Sequence, residues 1–208
     1  MLIPLDRFYP ILDSEGLAGA KIDPLELARI LVAAGARLVQ FRHKAPYTRD
    51  AYQQAKAIAQ IVQQSGGRYI INDRADIALM VGADGVHLGQ DDLPPSAVRN
   101  IAGGKLLIGF STHNEEQLRL GEREPVDYLA IGPIFGTSSK VNPDPVVGVE
   151  EVRRLRPVTG KPLVAIGGIT RERAAAVLAA GADSLAVLSD IVAEDLPARA
   201  QEWLRLTR

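Results

Sequence analysis

The 208-residue chain has the composition of one soluble globular domain, with 47% hydrophobic and 24% charged residues. Its net charge of -1 comes from interspersed signs, which excludes the basic face of a nucleic-acid-binding protein. The absence of cysteine excludes disulfides, thiolate metal sites and a cysteine nucleophile. The N-terminal sequence has no signal-peptide pattern and no apolar run has the length of a membrane span. We therefore expect a cytoplasmic protein with no membrane or nucleic-acid partner.

Strand and helix patterns alternate along the chain. After a first strand at 8–12, the polar, glycine-containing segment 14–21 is predicted to be a loop. Asp23 and Pro24 then begin a helix that ends at Gly35, with aspartate as the N-cap and proline in the first turn. The remaining predicted elements, in chain order, are strand 38–41, helix 48–64, strand 69–71, helix 76–81, strand 85–89, helix 94–101, strand 106–110, helix 115–121, strand 128–132, helix 150–156, strand 162–166, a helix capped by Thr170, strand 184–188 and helix 196–206.

These patterns form eight successive strand-then-helix units. Several strands are continuous apolar runs, such as LVQF and PLVAI, as expected when helices cover both faces of a parallel sheet. The alternation predicts an α/β fold, a (β/α)8 TIM barrel that residues 1–208 form as a single domain. The alternative is an open doubly wound sheet. Against it, no G-x-G-x-x-G follows the first strand, and polar residues are spread over many strand ends.

Two neighbouring predicted strands end at acidic residues. The strand at 69–71 runs into Asn72 and Asp73, and the strand at 85–89 leads to Asp92. The helix between them makes the strands parallel, so the two carboxylates would project from one edge of the sheet. Such oxygen ligands suit Mg²⁺, which typically takes one or two protein carboxylates and fills its other positions with water and phosphate oxygens. The alternative is that Asp73 and Asp92 only cap the helices that follow.

The other predicted strands are followed by residues suited to binding anions. Arg42 and Lys44 are two residues apart and would face the same way in an extended chain. Lys140 lies in a loop rich in hydroxyl groups and glycine, which suits a lid over an anion. The pair Gly167-Gly168 and Ser189 match the phosphate site that barrels form after strands seven and eight. The sequence thus indicates two anion sites on one rim.

The three histidines have no metal-ligand spacing. His87 lies inside an apolar strand, and we predict a hydrogen-bonded residue of the barrel rather than a general base. His113 lies where a loop runs into a helix, within reach of the predicted rim.

The motifs on this rim resemble those of the thiamine phosphate synthase family. They occur in the family's order and cover nearly the whole predicted barrel: QFRHK at 40–44, INDR at 71–74, GADGVHLGQDD at 82–92, IGFSTHN at 108–114, AIGPIFGTSSK at 130–140, AIGGIT at 165–170 and GADSLAVLS at 181–189. The family is a (β/α)8 barrel that joins hydroxymethylpyrimidine diphosphate to hydroxyethylthiazole phosphate, or its carboxylated form, and releases thiamine phosphate and pyrophosphate.

The resemblance implies a role for each matching residue. Diphosphate binding is implied for Arg42, Lys44, Asn72 and Lys140, Mg²⁺ binding for Asp73 and Asp92, and pyrimidine contact for Gln40 and Ser111. Thiazole phosphate binding is implied for Thr137, Ser139, Gly168, Leu188 and Ser189. Within this set, Arg42, Lys44, Ser111 and Lys140 are the residues expected to act in catalysis.

The chemistry that the resemblance implies is a magnesium-assisted, largely dissociative substitution. The expected partners are small-molecule substrates. A homodimer is a further possibility, because the exteriors of barrels often pair. Three rival functions remain: a thiazole tautomerase, an aldolase-like barrel with Lys44 as a Schiff-base amine, and a non-catalytic thiazole-phosphate binder. The complete set of diphosphate and metal residues favours the synthase over the tautomerase.

Overall fold

The computed structural model describes residues 5–137 and 144–208, and in these residues eight parallel strands close into a barrel. Each strand pairs with the next in the chain, and β1 pairs with β8 to close the ring. The predicted (β/α)8 barrel is confirmed, and the open sheet is wrong. The strands are β1 (Phe8–Asp13), β2 (Leu38–Arg42), β3 (Arg68–Asn72), β4 (Gly85–Leu88), β5 (Leu107–Thr112), β6 (Tyr128–Ile131), β7 (Leu163–Ile166) and β8 (Ser184–Val187).

Helices follow the strands and cover the outside of the barrel. None of the helices in the described ranges is both long enough and apolar enough to cross a membrane. Short 3-10 turns lie at Arg156–Val158 and Ser189–Ile191. The α-helices are α1 (Ser14–Gly19), α2 (Pro24–Ala34), α3 (Arg49–Gln64), α4 (Ala75–Val81), α5 (Pro95–Ala102), α6 (Glu115–Arg123), α7 (Val149–Leu155), α8 (Arg171–Ala179) and α9 (Leu196–Leu206).

Local capping explains why most predicted helix ends agree closely with the structure. The Asp23 carboxylate accepts a hydrogen bond from the Leu25 N–H at 3.0 Å, and Pro24 is the first residue of α2. Gly35 ends α2 in the left-handed conformation, with φ of 119°. The Thr48 hydroxyl caps α3 in the same way as Asp23 caps α2. These signals are local in sequence, so they can be read before the fold is known.

Two local predictions were wrong. The segment predicted as a loop at 14–21 contains α1, which is capped by the Asp13 carboxylate and buries Leu17 against the barrel. Thr170 stands at the N-cap position of α8, but its side chain makes no capping hydrogen bond. The cap of α1 is a local signal, since the Asp13 carboxylate accepts from the Gly16 N–H three residues later.

The core has two layers. Side chains that point outward from the strands pack against the helices, as where Phe8 stacks on Trp203 of α9 with ring centroids 5.5 Å apart. Side chains that point inward fill the barrel, and among them are Tyr9 and Tyr128. Burial on both faces accounts for the continuous apolar runs of the strands. The inward layer leaves space at the carboxyl ends of the strands.

Candidate active site

A cavity of about 550 Å³ opens at the carboxyl ends of the strands. Ser139 and Lys140 lie outside the described residues. Every other residue that the sequence assigned to the site lines this cavity: Gln40, Arg42, Lys44, Asn72, Asp73, Asp92, Ser111, Thr137, Gly168, Leu188 and Ser189.

The two cationic side chains at the end of β2 are each held by a carboxylate. Arg42 donates a hydrogen bond to Asp13 at the end of β1, and these two residues are also paired in the strand register. Lys44 Nζ donates to Asp73 Oδ2 at 2.5 Å. Both cations line the cavity, as their spacing in the sequence predicted. The sequence reasoning gave Asp13 no role, although its position at a strand end was visible.

The two predicted metal-binding carboxylates lie at the ends of adjacent parallel strands, β3 and β4. Asp73 adopts a left-handed backbone conformation, with φ of 63°, and its N–H donates to the His87 carbonyl at 2.7 Å. The Asp92 carboxylate accepts from the Gly89 N–H at 2.7 Å. Burial raises the pKa of Asp92, and the hydrogen bond and negative charge of nearby Asp73 raise it further.

Neither carboxylate caps the helix that follows it. Helices α4 and α5 begin at the N-cap residues Arg74 and Pro94, and neither helix has a side-chain capping bond. The reading of Asp73 and Asp92 as simple helix caps is therefore wrong. Instead, two carboxylates of like charge are brought together in the cavity, an arrangement that a cation would stabilise.

The residues at this point fit a hard cation with few protein ligands. In the described ranges, no group of three or more acidic or histidine side chains could hold a metal by itself. Two carboxylates are nevertheless the donor set that Mg²⁺ typically takes, with water and phosphate oxygens in its other positions. Beside them, the buried Asn72 Nδ2 has no hydrogen-bond partner within the described part of the chain. Asn72 itself is one of the residues that line the cavity, and an unpaired buried donor of this kind calls for an acceptor.

A buried network of hydroxyl, amide and imidazole groups forms the floor of the cavity. The His87 imidazole contacts the Tyr128 hydroxyl at 3.0 Å and the Ser111 hydroxyl at 2.9 Å. This confirms the prediction that His87 is a hydrogen-bonded residue of the barrel. Sequence reasoning missed Tyr9 and Tyr128, although both stand inside predicted strands. The sequence does not show that the side chains of these two tyrosines point into the barrel.

Stability is expected to fall as the pH is lowered from 7 to 5, because the folded protein resists protonation of His87. Burial lowers the pKa of His87 from 6.5 to about 4. Between these values the unfolded chain binds a proton that the folded chain does not. The free energy of unfolding should lose roughly 2 kcal/mol of the His87 contribution by pH 5, and about 3 kcal/mol below pH 4.

Urea unfolding of the wild type and of His87→Gln at both pH values measures this effect. Glutamine takes up no proton, so the variant should lose that share of the pH dependence. The same loss of unfolding free energy in both proteins would contradict the assignment. The experiment is done without added Mg²⁺, so that metal binding does not contribute.

The opposite side of the cavity is formed by closely packed backbone. Gly167 and Gly168 both have positive φ, of 99° and 60°. A Cβ atom on Gly168 would lie 2.5 Å from the Gly136 carbonyl oxygen and 2.8 Å from the Phe135 Cβ. Only glycine fits this contact between the loops that follow β6 and β7. The same side holds Ser189, the first residue of a 3-10 turn directly after β8.

Side chains behind Ser189 fix that turn. The Asp190 carboxylate accepts from Trp203 Nε1 at 3.0 Å and from Arg171 Nε at 3.2 Å. Arg199 donates to the Asp190 carbonyl at 2.5 Å. Helices α8 and α9 thereby hold the end of β8 in a fixed position beneath the cavity.

Two further residues that the sequence did not assign to the site line the cavity. Gln90 Nε2 donates to the Ser111 carbonyl at 2.6 Å. His113 Nδ1 lies 2.6 Å from the Gly132 carbonyl, and its Nε2 lies 3.5 Å from Asp144 Oδ2. Both residues link the ends of neighbouring strands across the rim.

Comparison with known proteins gives a consistent result. The model of a family described as thiamine monophosphate synthase matches residues 8–191. A thiamine-phosphate synthase of Koribacter versatilis is 45% identical over 206 residues, which cover 98% of this chain and 97% of that protein. One of Chloroflexus aurantiacus is 40% identical over 96% of this chain and 91% of that protein. The solved thiamine phosphate pyrophosphorylase of Pyrococcus furiosus has a TM-score of 0.86 and 33% identity, covering 97% of this chain and 95% of that chain.

Proposed function

Because the chain belongs to the thiamine monophosphate synthase family, we propose that it is a transferase that joins hydroxymethylpyrimidine diphosphate to hydroxyethylthiazole phosphate. The products are thiamine phosphate and pyrophosphate. The observation that carries this proposal is the cavity, which has cations and paired carboxylates on one side and a glycine and serine cradle on the other. One side suits a diphosphate with its metal, and the other suits a monophosphate.

The diphosphate would bind at the ends of β2 and β3. Arg42, Lys44 and Asn72 supply donors there, and the unpaired amide of Asn72 supports a ligand acceptor at this position. Lys140 and Ser139 keep the roles implied by the family motif. They follow Thr137 in the sequence, and Thr137 itself lines the cavity.

Asp73 and Asp92 would hold Mg²⁺. When bound, the ion neutralises charge that develops on the departing pyrophosphate. The chain supports this by bringing the two carboxylates to adjacent strand ends, with Lys44 paired to Asp73. Arg42 and Lys44 would stabilise the same leaving group by direct hydrogen bonds.

The thiazole phosphate would bind at Gly168, Leu188 and Ser189, where backbone N–H groups follow strands β7 and β8. Departure of the diphosphate leaves positive charge on the methylene carbon, delocalised into the aminopyrimidine ring. The thiazole nitrogen, held nearby by its phosphate anchor, then forms the new carbon–nitrogen bond. Gln40 and Ser111 would orient the ring throughout. This chemistry needs no strong nucleophile from the protein.

The rival functions are less well supported. A Schiff-base lysine is usually activated by an apolar pocket or a neighbouring cation, whereas Lys44 is ion-paired with Asp73. A tautomerase or a simple thiazole-phosphate binder has no use for the paired carboxylates. The cytoplasmic location and a homodimer remain proposals from the sequence.

Identification of the reaction product tests the proposed function. The purified protein, mixed with both substrates and Mg²⁺, should form thiamine phosphate that is identified by mass spectrometry. Rearranged thiazole phosphate without thiamine phosphate would favour the tautomerase, and binding without any product would favour the binder.

Asp13→Asn is expected to raise the KM for the pyrimidine diphosphate about five- to ten-fold, because it removes the carboxylate that positions Arg42. Asparagine can still accept the hydrogen bond from the Gly16 N–H that caps α1. Steady-state kinetics measures the change. Asp23→Asn is the matched control, since Asp23 caps α2 with its carboxylate. An unchanged KM in Asp13→Asn would show that Arg42 does not depend on this contact.

A further inference from the structure

Four hydrogen bonds form a continuous chain across the floor of the cavity. Gln40 Nε2 donates to the Tyr9 hydroxyl at 2.8 Å, and the Tyr9 and Tyr128 hydroxyls are 2.9 Å apart. Tyr128 contacts His87 Nδ1 at 3.0 Å, and His87 Nε2 contacts the Ser111 hydroxyl at 2.9 Å. The chain therefore begins and ends at the two residues that would contact the pyrimidine.

The strand register builds this chain into the barrel. His87 of β4, Gly109 of β5 and Tyr128 of β6 are paired side by side on three adjacent strands. A Cβ atom on Gly109 would lie 2.1 Å from Tyr128 Cζ and 2.5 Å from His87 Nδ1. The glycine thus leaves the space in which the Tyr128 and His87 side chains meet. Burial raises the pKa of Tyr9 and of Tyr128, so both hydroxyls keep their protons.

Counting protons gives the direction of each bond when every hydroxyl proton is bonded within the chain. If the Gln40 amide then donates to Tyr9, Tyr9 donates to Tyr128 and Tyr128 donates to His87 Nδ1. Neutral His87 then carries its proton on Nε2 and donates to Ser111. Gln40 is left with its carbonyl oxygen as an acceptor and with its second amide N–H, and the Ser111 hydroxyl proton is left to donate.

Reversal of one bond reverses all of them. If the Gln40 carbonyl oxygen took the place of its amide nitrogen, the Tyr9 proton would turn toward it. Each later proton would then follow, and Gln40 would present a donor while Ser111 presented an acceptor. When all of these protons are bonded, a free Gln40 carbonyl therefore goes with a free Ser111 proton, and this is the arrangement in the structure, where Gln40 Nε2 donates to Tyr9.

We propose that this chain couples Gln40 and Ser111 into an acceptor and donor pair that selects an aminopyrimidine over the corresponding oxopyrimidine, with Tyr9, Tyr128 and His87 as positioning residues. The inference rests on the proposed function and names the substrate feature that Gln40 and Ser111 recognise, which is the hydrogen-bonding pattern of the pyrimidine. An aminopyrimidine presents a donating amino group beside an accepting ring nitrogen. An oxopyrimidine presents an accepting carbonyl beside a donating ring N–H, which is the reverse pattern. The reversed chain is the arrangement that matches this pattern with every one of its hydroxyl protons bonded.

Breaking the hydrogen-bond chain in the middle should let Gln40 and Ser111 each choose their hydrogen-bonding direction independently. Tyr128→Phe removes the hydroxyl that joins Tyr9 to His87. Tyr9→Phe breaks the chain at a second point, next to Gln40. Tyr69→Phe is the matched control, because Tyr69 is a buried strand residue whose hydroxyl has no hydrogen-bond partner among residues 5–137 and 144–208.

Dissociation constants for the amino and oxo forms of the pyrimidine diphosphate, measured by calorimetry with Mg²⁺, test the proposal. The wild type should bind the amino form more tightly than the oxo form. In Tyr128→Phe and Tyr9→Phe, the ratio of the two dissociation constants should fall at least about ten-fold. Tyr69→Phe should keep it. Thermal melting identifies any variant that fails to fold. If one of Tyr128→Phe and Tyr9→Phe fails to fold, the other one tests the proposal.

One result would overturn the proposal: an unchanged ratio of the two constants in the folded variants Tyr128→Phe and Tyr9→Phe, whether or not both forms bind more weakly. Turnover of the amino substrate by the wild type is assayed in parallel. If the wild type makes no thiamine phosphate, the proposed function fails and this inference fails with it. If it does so while the ratio is unchanged, only the inference fails.

Discussion

Replacing Asp73 or Asp92 by asparagine is expected to lower turnover on the order of 10²–10³-fold, which is the cost of removing one group that stabilises charge in a transition state. Asparagine has nearly the same shape as aspartate and tolerates the left-handed backbone that Asp73 adopts. In the Asp92 variant it can still accept from the Gly89 N–H. The fold should therefore survive while the charge for the metal is lost.

A titration of rate against Mg²⁺ concentration separates this effect from a loss of fold. Each variant should need more Mg²⁺ for half of its maximal rate, and calorimetry should show weaker Mg²⁺-dependent binding of the diphosphate. Asp50→Asn, in the first turn of α3 and away from the cavity lining, is the control. Near-normal rates in both site variants would exclude the proposed metal site.

Gly168→Ala is expected to weaken both the fold and the binding of thiazole phosphate. Its φ of 60° strains any residue with a Cβ, and the new atom would lie 2.5 Å from the Gly136 carbonyl oxygen. Strain and overpacking together should cost about 2–4 kcal/mol of unfolding free energy. The loop that presents the Gly168 N–H must move, so the KM for thiazole phosphate should rise at least about ten-fold.

Gly66→Ala is the control that separates the two causes. Gly66 has a similar φ of 76°, but nothing lies within 4 Å of an added Cβ. That variant should lose only about 1–2 kcal/mol and keep its KM. Urea unfolding and steady-state kinetics measure both quantities. Equal losses of stability in the two variants, with no change in KM, would show that the close contact at Gly168 does not shape the site.

The sequence predicted the barrel and most of the rim because both depend on local patterns. Both faces of the strands are buried, the outer face under the helices and the inner face inside the barrel, which makes LVQF and PLVAI continuous apolar runs. The site of a barrel lies at the carboxyl ends of its strands, so Arg42 and Asp73 could be assigned to it from their positions alone.

The parts that were missed depend on register and on side-chain direction. In a strand buried on both faces, nothing in the sequence tells whether Tyr9 points into the barrel or toward the helices. The contact between His87 and Tyr128 exists only because β4, β5 and β6 pair with Gly109 between the two residues. The role of Asp13 likewise arises from its pairing with Arg42 across two strands.

Pyrophosphate release tests the central claim most directly. The protein is mixed with the pyrimidine diphosphate, the thiazole phosphate and Mg²⁺, and each component is then omitted in turn. We expect full release only with all three present, with one thiamine phosphate formed for each pyrophosphate. Absence of release from the complete mixture, with folded protein, would contradict the proposed function.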